Sequence, residues 1–232
     1  MPAFLRMIGF FVAVVVLMNL LRLVPGIGGL FHGFFAFWIV AILLSAALSR
    51  LSAAGLVRHR VRGQIRALGN VESPHNQGKL GSLLLSNGRS ARAIPHLERA
   101  VEGEPESAEW HYRLGVALLG ARRAVEACEE FGKVFEMDEE YAYGAVQLRA
   151  AEAALAVGDP AAALARLAVF ERNHGPRPES AYWRGVALKR SGDRAAARES
   201  FAEVARLAAE GARYQGQENK GWVLRAAWAR FF

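Results

Sequence analysis

The imidazole and thiol side chains, which bind transition metals and act as bases or nucleophiles, are few here: six histidines (His32, His59, His75, His96, His111, His174) and one cysteine, Cys128. Metal centres need such groups at short spacings, a few residues apart in a loop or one turn apart on a helix, so that they converge on one ion. No two of these seven stand at such a spacing. Cys128 sits where an amphipathic helix turns inward, which reads it as a small buried apolar side chain, and a single cysteine excludes an intrachain disulfide. Phosphate chemistry leaves two partial signatures. In "HNQGKLG" the Gly78-Lys79 pair lacks the glycine five residues earlier, where Ser73 stands, and Leu80 replaces the hydroxyl that would hold magnesium. "PGIGGLF" places Gly26, Gly28 and Gly29 together without a preceding strand or the third glycine of a dinucleotide fingerprint. No Gly-x-Ser-x-Gly elbow occurs. The expectation is a protein that is not an enzyme, uses no cofactor and takes no small-molecule substrate.

What remains is contact chemistry, and charge says where. Residues 1–70 hold seven arginines (Arg6, Arg22, Arg50, Arg58, Arg60, Arg62, Arg66) and no Asp, Glu or Lys. The chain has 29 basic and 22 acidic residues, so removing those seven leaves 22 of each in residues 71–232, and the whole net charge of +7 belongs to the first 70. Basicity so placed argues against nucleic acid as a partner, because no basic stripe interleaves with aromatics, and points to membrane lipids.

Two apolar runs share that region, from about Phe4 to Leu21 and from about Leu30 to Ser49, separated by "RLVPGIGG". About 20 helical residues cross a hydrocarbon core of ~30 Å; the second run has that length and the first is near the limit. Pro25 and the neighbouring glycines break a helix, so residues 1–52 read as a transmembrane helical hairpin. A cleaved signal peptide is the competing reading of the first run, but no small-residue cleavage site follows it. Arg50, Arg58, Arg60, Arg62 and Arg66 cluster behind the second run. Positive charge stays inside, which puts both termini on the cytoplasmic side of the inner membrane. Residues 53–73 place Val57, Val61, Ile65 and Leu68 on one helical face and Arg58, Arg60, Arg62 and Arg66 on the other. That pattern suits a helix lying on anionic headgroups, and equally a solvated connector.

The remainder repeats. Aligning Gly88 with Arg122, Gly158 and Gly192 gives frames beginning at Pro74, Ala108, Gly144 and Pro178, spaced by 34, 36 and 34 residues. The eighth position is Gly81, Gly115, Ala151 and Gly185; the twentieth is Ala93, Ala127, Ala163 and Ala197; the twenty-fourth is Leu97, Phe131, Leu167 and Phe201. Two small residues where antiparallel helices cross, and one large residue filling the gap, are what a helical hairpin packed on its neighbours requires. The fold class expected is all-α: four repeats (74–107, 108–141, 144–177, 178–211) and a capping helix over 212–232.

A 34-residue helix-turn-helix with this pattern resembles the tetratricopeptide repeat (TPR), and "AEWHYRLGVALLGARRAVEACEEFGKVFEMD" carries the resemblance best. Departures are Arg184 where leucine is usual, Pro95 inside a second helix, where it predicts a kink, and the two extra residues Ala142 and Tyr143. The resemblance implies a right-handed superhelix whose concave groove, lined by first helices, binds a protein partner. Its groove positions map to Ser82, Tyr112, Val116, Leu119, Leu148, Glu152, Leu155, Tyr182, Val186 and Lys189. Each serves either ligand contact or packing against the next repeat, with Tyr112 and Tyr182 the first expected anchors. The Lys and Asn pattern with which some relatives clamp a C-terminal carboxylate is missing, Gly78 and Ser82 standing there instead.

In the tail, Leu224, Trp228 and Phe231 or Phe232 recur at helical spacing, suited to covering the last repeat. The same tail's aromatics with Arg213, Lys220, Arg225 and Arg230 also suit a bilayer interface. Two functions stay open at this level: an adaptor that recruits its partner through the groove to the membrane, and a structural or assembly subunit of a membrane complex whose hairpin makes the main contacts, with Asn19 and the Gly29-x-x-x-Gly33 spacing at the interface.

Overall fold

The computed structural model describes residues 73–211 and 216–231, together with Ser45. Apart from Ser45, the two apolar segments and the stretch carrying Arg58, Arg60, Arg62 and Arg66 lie outside the described residues. Among the described residues no helix is long and apolar enough to cross a membrane. Every element below belongs to the unit Ile65–Phe232.

The helices follow as four hairpins and a terminal helix: α1 (Pro74–Ser86) and α2 (Ser90–Gly103), α3 (Ala108–Gly120) and α4 (Ala124–Met137), α5 (Ala145–Val157) and α6 (Pro160–His174), α7 (Pro178–Arg190) and α8 (Arg194–Glu210), then α9 (Gly216–Phe231). Local chemistry sets the starts. Ser73, Asp159 and Asp193 each accept a bond from the backbone N–H three residues on, at 3.2, 2.9 and 3.0 Å, and proline opens α1, α6 and α7. The turn between the helices of each unit needs one left-handed residue. Glycine supplies it at Gly88, Gly158 and Gly192 (φ 69°, 89° and 92°), whereas unit 2 uses Arg122 at φ 66°. α2 continues as one helix through Pro95, which faces outward.

Small and large residues interlock across each hairpin. A Cβ added at Gly81 would come within 2.5 Å of Leu97, and one at Gly115 or Gly185 within 2.6 Å of the Phe131 or Phe201 ring. Phe131, Leu97 and Phe170 are fully buried in the resulting core. A second set of contacts at this crossing is polar. Gln77 pairs with His96 at 2.8 Å, and His111 with Glu130 at 2.6 Å, each nineteen residues apart and each joining the fourth position of a unit to the twenty-third. His111 is also bonded through Nε2, which donates to the Pro105 carbonyl at 2.9 Å. In unit 3 the partner is absorbed elsewhere, because Arg166 lies over the Phe135 ring at 3.8 Å, and the buried Gln147 keeps Oε1 without a hydrogen bond.

The departures from the repeat pattern have physical accommodations. Arg184 replaces an apolar side chain by ion pairs to Glu171 of α6 and Glu203 of α8, with Ser200 accepting from its Nε at 3.3 Å. Ala142 and Tyr143 make room for themselves through left-handed backbone (φ 53° and 55°) followed by Gly144 (φ 75°). Glu140 ties that loop to the end of α6, accepting from Asn173 and pairing with His174 at 2.6 Å. Those two bonds hold its carboxyl below the usual range. At the end of α7, Arg190 donates to the Leu155 carbonyl of α5 and Lys189 to the Ala229 carbonyl of α9 at 3.0 Å.

The terminal helix packs on α7 and α8, but not through the face expected. Leu224 and Trp228 are 71% and 69% exposed, while Ala226 and Asn219 are buried, and Trp222, Val223 and Ala229 are packed inward. Alanines permit close approach of helix axes, and Trp222 joins a ring cluster with Tyr182 and Trp183 at 5.4 and 6.2 Å. A stripe of one tryptophan and small residues therefore outcompetes the larger apolar pair.

Candidate partner-binding groove

The first helices of the units, α1, α3, α5 and α7, bring the expected groove positions into three different settings. At the start of the array the position is closed. The Trp110 indole lies where a Cβ on Gly78 would stand, at 2.7 Å, and donates to Glu104 at 2.7 Å, while the Ser82 hydroxyl turns back to the Gly78 carbonyl at 2.7 Å.

In the middle, α3 and α5 present Tyr112, Val116 and Leu119, all half-buried against the core, with Glu152 half-buried beside them. Tyr112 stacks at an angle on Phe131 (6.1 Å) and Tyr141 (5.2 Å). Around its hydroxyl stand Arg149, Arg113 and Glu152. Burial is the strongest influence and raises the phenol above its ordinary range, against the pull of the two guanidiniums. Burial raises Tyr141 in the same way. Arg149 pairs with Glu152 at 2.5 Å and with Glu179 of the next unit, and Arg113 pairs with Glu109 at 2.8 Å. Leu148 and Leu155, by contrast, are 6% and 2% exposed and serve as core.

At the far end the terminal helix occupies the neighbourhood. Tyr182 is packed among Trp183 (5.1 Å), Phe201 (6.0 Å) and Trp222 (5.4 Å), Val186 packs against the core, and Lys189 is engaged at the Ala229 carbonyl. The Trp183 Nε1 is buried without a hydrogen bond.

Three residues of the middle setting escaped the sequence reading: Arg113, Arg149 and Tyr141. The signal was there, since the two arginines share the sixth position of successive frames and Tyr141 closes the second. Chemically the surface is suited to contact and not to bond-making. It offers an aromatic floor and a row of guanidinium and carboxylate groups, already paired, that can exchange partners with a bound peptide. Among the described residues no group of three or more His, Cys, Asp or Glu could hold a metal ion. Cys128 is half-buried, and burial pushes its thiol up, away from nucleophilic character.

Comparison with known proteins bears on the same residues. Residues 79–141 match the family model described as tetratricopeptide repeat, spanning most of unit 1 and all of unit 2. The described helices form a tetratricopeptide-repeat solenoid. This TPR array is similar in fold to TTC0263, a thermophilic TPR protein of Thermus thermophilus, with a TM-score of 0.59 at 16% identity over 79% of this chain and 95% of that one. It is similar to the MamA protein with a TM-score of 0.57 at 19% identity, covering 65% of this chain and 84% of that one. YrrB, described as a TPR protein with an unusual peptide-binding site, gives 0.52 at 20% identity over 72% and 90%. No curated protein sequence matches the chain.

Proposed function

We propose that this chain is a membrane-anchored adaptor that recruits a protein partner through the middle of its TPR array. The observation that carries the reading is the surface around Tyr112, where half-buried rings and hydrophobic side chains of α3 lie beside the Arg149, Glu152 and Glu179 charges of the following units. Aromatic and arginine side chains on a rigid scaffold are what binding hot spots use. YrrB's described peptide-binding site is in keeping with such a role for the fold. The anchor is the pair of apolar segments in residues 1–52, with Arg58, Arg60, Arg62 and Arg66 on anionic lipid and the array on the cytoplasmic side of the inner membrane. Holding the array at the bilayer raises the local concentration of its partner there without any catalysis.

Photo-crosslinking in cells tests both halves. A photoreactive residue at Val116 is expected to give protein adducts that a Tyr112→Ala change abolishes and that survive exchange of residues 1–52 for an unrelated hairpin. Adducts indifferent to Tyr112 but lost with the hairpin would move the function to the membrane segments.

A further inference from the structure

We infer that the outward face of α9 is a second membrane contact, which docks on an anionic lipid bilayer. Two observations meet on this helix. Leu224 and Trp228 are 71% and 69% exposed and stand one helical turn apart; the other large apolar side chains exposed among the described residues (Val125, Met137, Tyr143, Val157) have no such neighbour. From Asn219 to the last residue the sequence has Lys220, Arg225 and Arg230 and no acid. Elsewhere in the array five arginines (Arg113, Arg123, Arg149, Arg184 and Arg206) pair with carboxylates, as Arg113 does with Glu109 and Arg206 with Glu203. Arg225 lies over the Trp222 ring at 4.6 Å, flanking the apolar pair, with Lys220 one turn before Leu224.

An apolar pair rimmed by cations of one sign fits a headgroup layer carrying negative charge, where leucine and tryptophan enter the interface and the cations stay among phosphates. The face is turned outward because the opposite face, through Trp222 and Ala226, is consumed by packing on α7 and α8. The inference draws on the anchoring proposed above, since residues 1–52 would hold the array near a bilayer, but the docking is a separate property of α9.

The test uses the full chain, with Cys128→Ala and a polarity-sensitive dye on Leu224→Cys, incorporated into lipid nanodiscs of phosphatidylglycerol or of phosphatidylcholine. A dye on Val125→Cys serves as the exposed control. Emission from position 224 is expected to shift to the blue in phosphatidylglycerol, to revert in high salt or with Lys220→Glu and Trp228→Ser together, and to stay unshifted at position 125. An incorporated chain whose position 224 behaves like 125 overturns the docking and leaves the anchor standing. A shift that appears equally in phosphatidylcholine and grows with protein per disc reports contact between copies, and overturns it too. If the chain does not incorporate, the anchor fails, and flotation with preformed phosphatidylglycerol vesicles decides the docking alone: binding lost in the Lys220→Glu, Trp228→Ser variant supports it, and no binding overturns it.

Discussion

Units 2 and 4 solve the same frame in two ways. Their tyrosines at the fifth position, Tyr112 and Tyr182, meet the phenylalanines at the twenty-fourth almost identically, at 6.1 and 6.0 Å with 50° between the planes. Tyr141 at 5.2 Å completes one cluster, and Trp183 at 5.1 Å with Trp222 at 5.4 Å completes the other. The difference is in what surrounds them. Tyr112 has charged neighbours on α3 and α5; Tyr182 has Trp183 and the terminal helix. A repeat frame thus fixes how a side chain packs inward, and the next element along the chain decides whether its outer edge is left for a partner.

Substituting the two tyrosines separates these roles. Tyr182→Ala takes the half-buried central ring out of the larger ring cluster and is expected to cost about 3 kcal/mol in urea unfolding, the low end of the loss for deleting a packed aromatic side chain. Tyr112→Ala is expected to cost less, about 2 kcal/mol, while removing partner adducts. If Tyr112→Ala unfolds the array more readily than Tyr182→Ala, the assignment of the two edges is wrong. At the seventh position unit 2 has buried Leu114 and unit 4 has Arg184. Arg184→Leu imposes the unit 2 solution but takes from Glu171 its cation, leaving it the Ser180 hydroxyl, and from Glu203 one of its two arginines, with an expected loss of about 2 kcal/mol; adding Glu171→Gln and Glu203→Gln should recover most of it. At the eighth position both units have glycine under a phenylalanine ring, so Gly115→Ala and Gly185→Ala should each cost about 1–2 kcal/mol and by similar amounts. The smallest contrast is at the fifteenth. Arg122→Gly relieves a left-handed arginine and is expected to stabilise by about 1 kcal/mol, while Gly192→Ala destabilises by about the same, both read as midpoint shifts.

Much of the fold was legible because interlocking needs particular sizes at particular positions. The pairing of Gly81 with Leu97, Gly115 with Phe131 and Gly185 with Phe201 follows from spacing alone. The terminal helix was misread for an equally physical reason. Judging faces by bulk picks Leu224 and Trp228, whereas the packed face is chosen by small size at Ala226 and Ala229 and by rings waiting on α7. The groove was legible as positions but not as neighbourhoods. Nothing at Lys189 itself announces that a carbonyl forty residues later will take its ammonium, or at Gly78 that an indole from the next unit will cover it. Arg184 could be seen as a departure from the pattern, but its partners lie on two other helices, thirteen residues before it and nineteen after.

The two cations that end α7 have a consequence for how the molecule opens. Arg190 reaches back to a carbonyl of α5 and Lys189 forward to one of α9, so parting unit 4 from either neighbour breaks a charge-assisted bond to backbone. In amide hydrogen exchange, α7, α8 and α9 should therefore share one opening energy as a single cooperative block. Replacing both cations by methionine should dissolve that block, so that the amides of α9 exchange on their own, ahead of the helices beneath them.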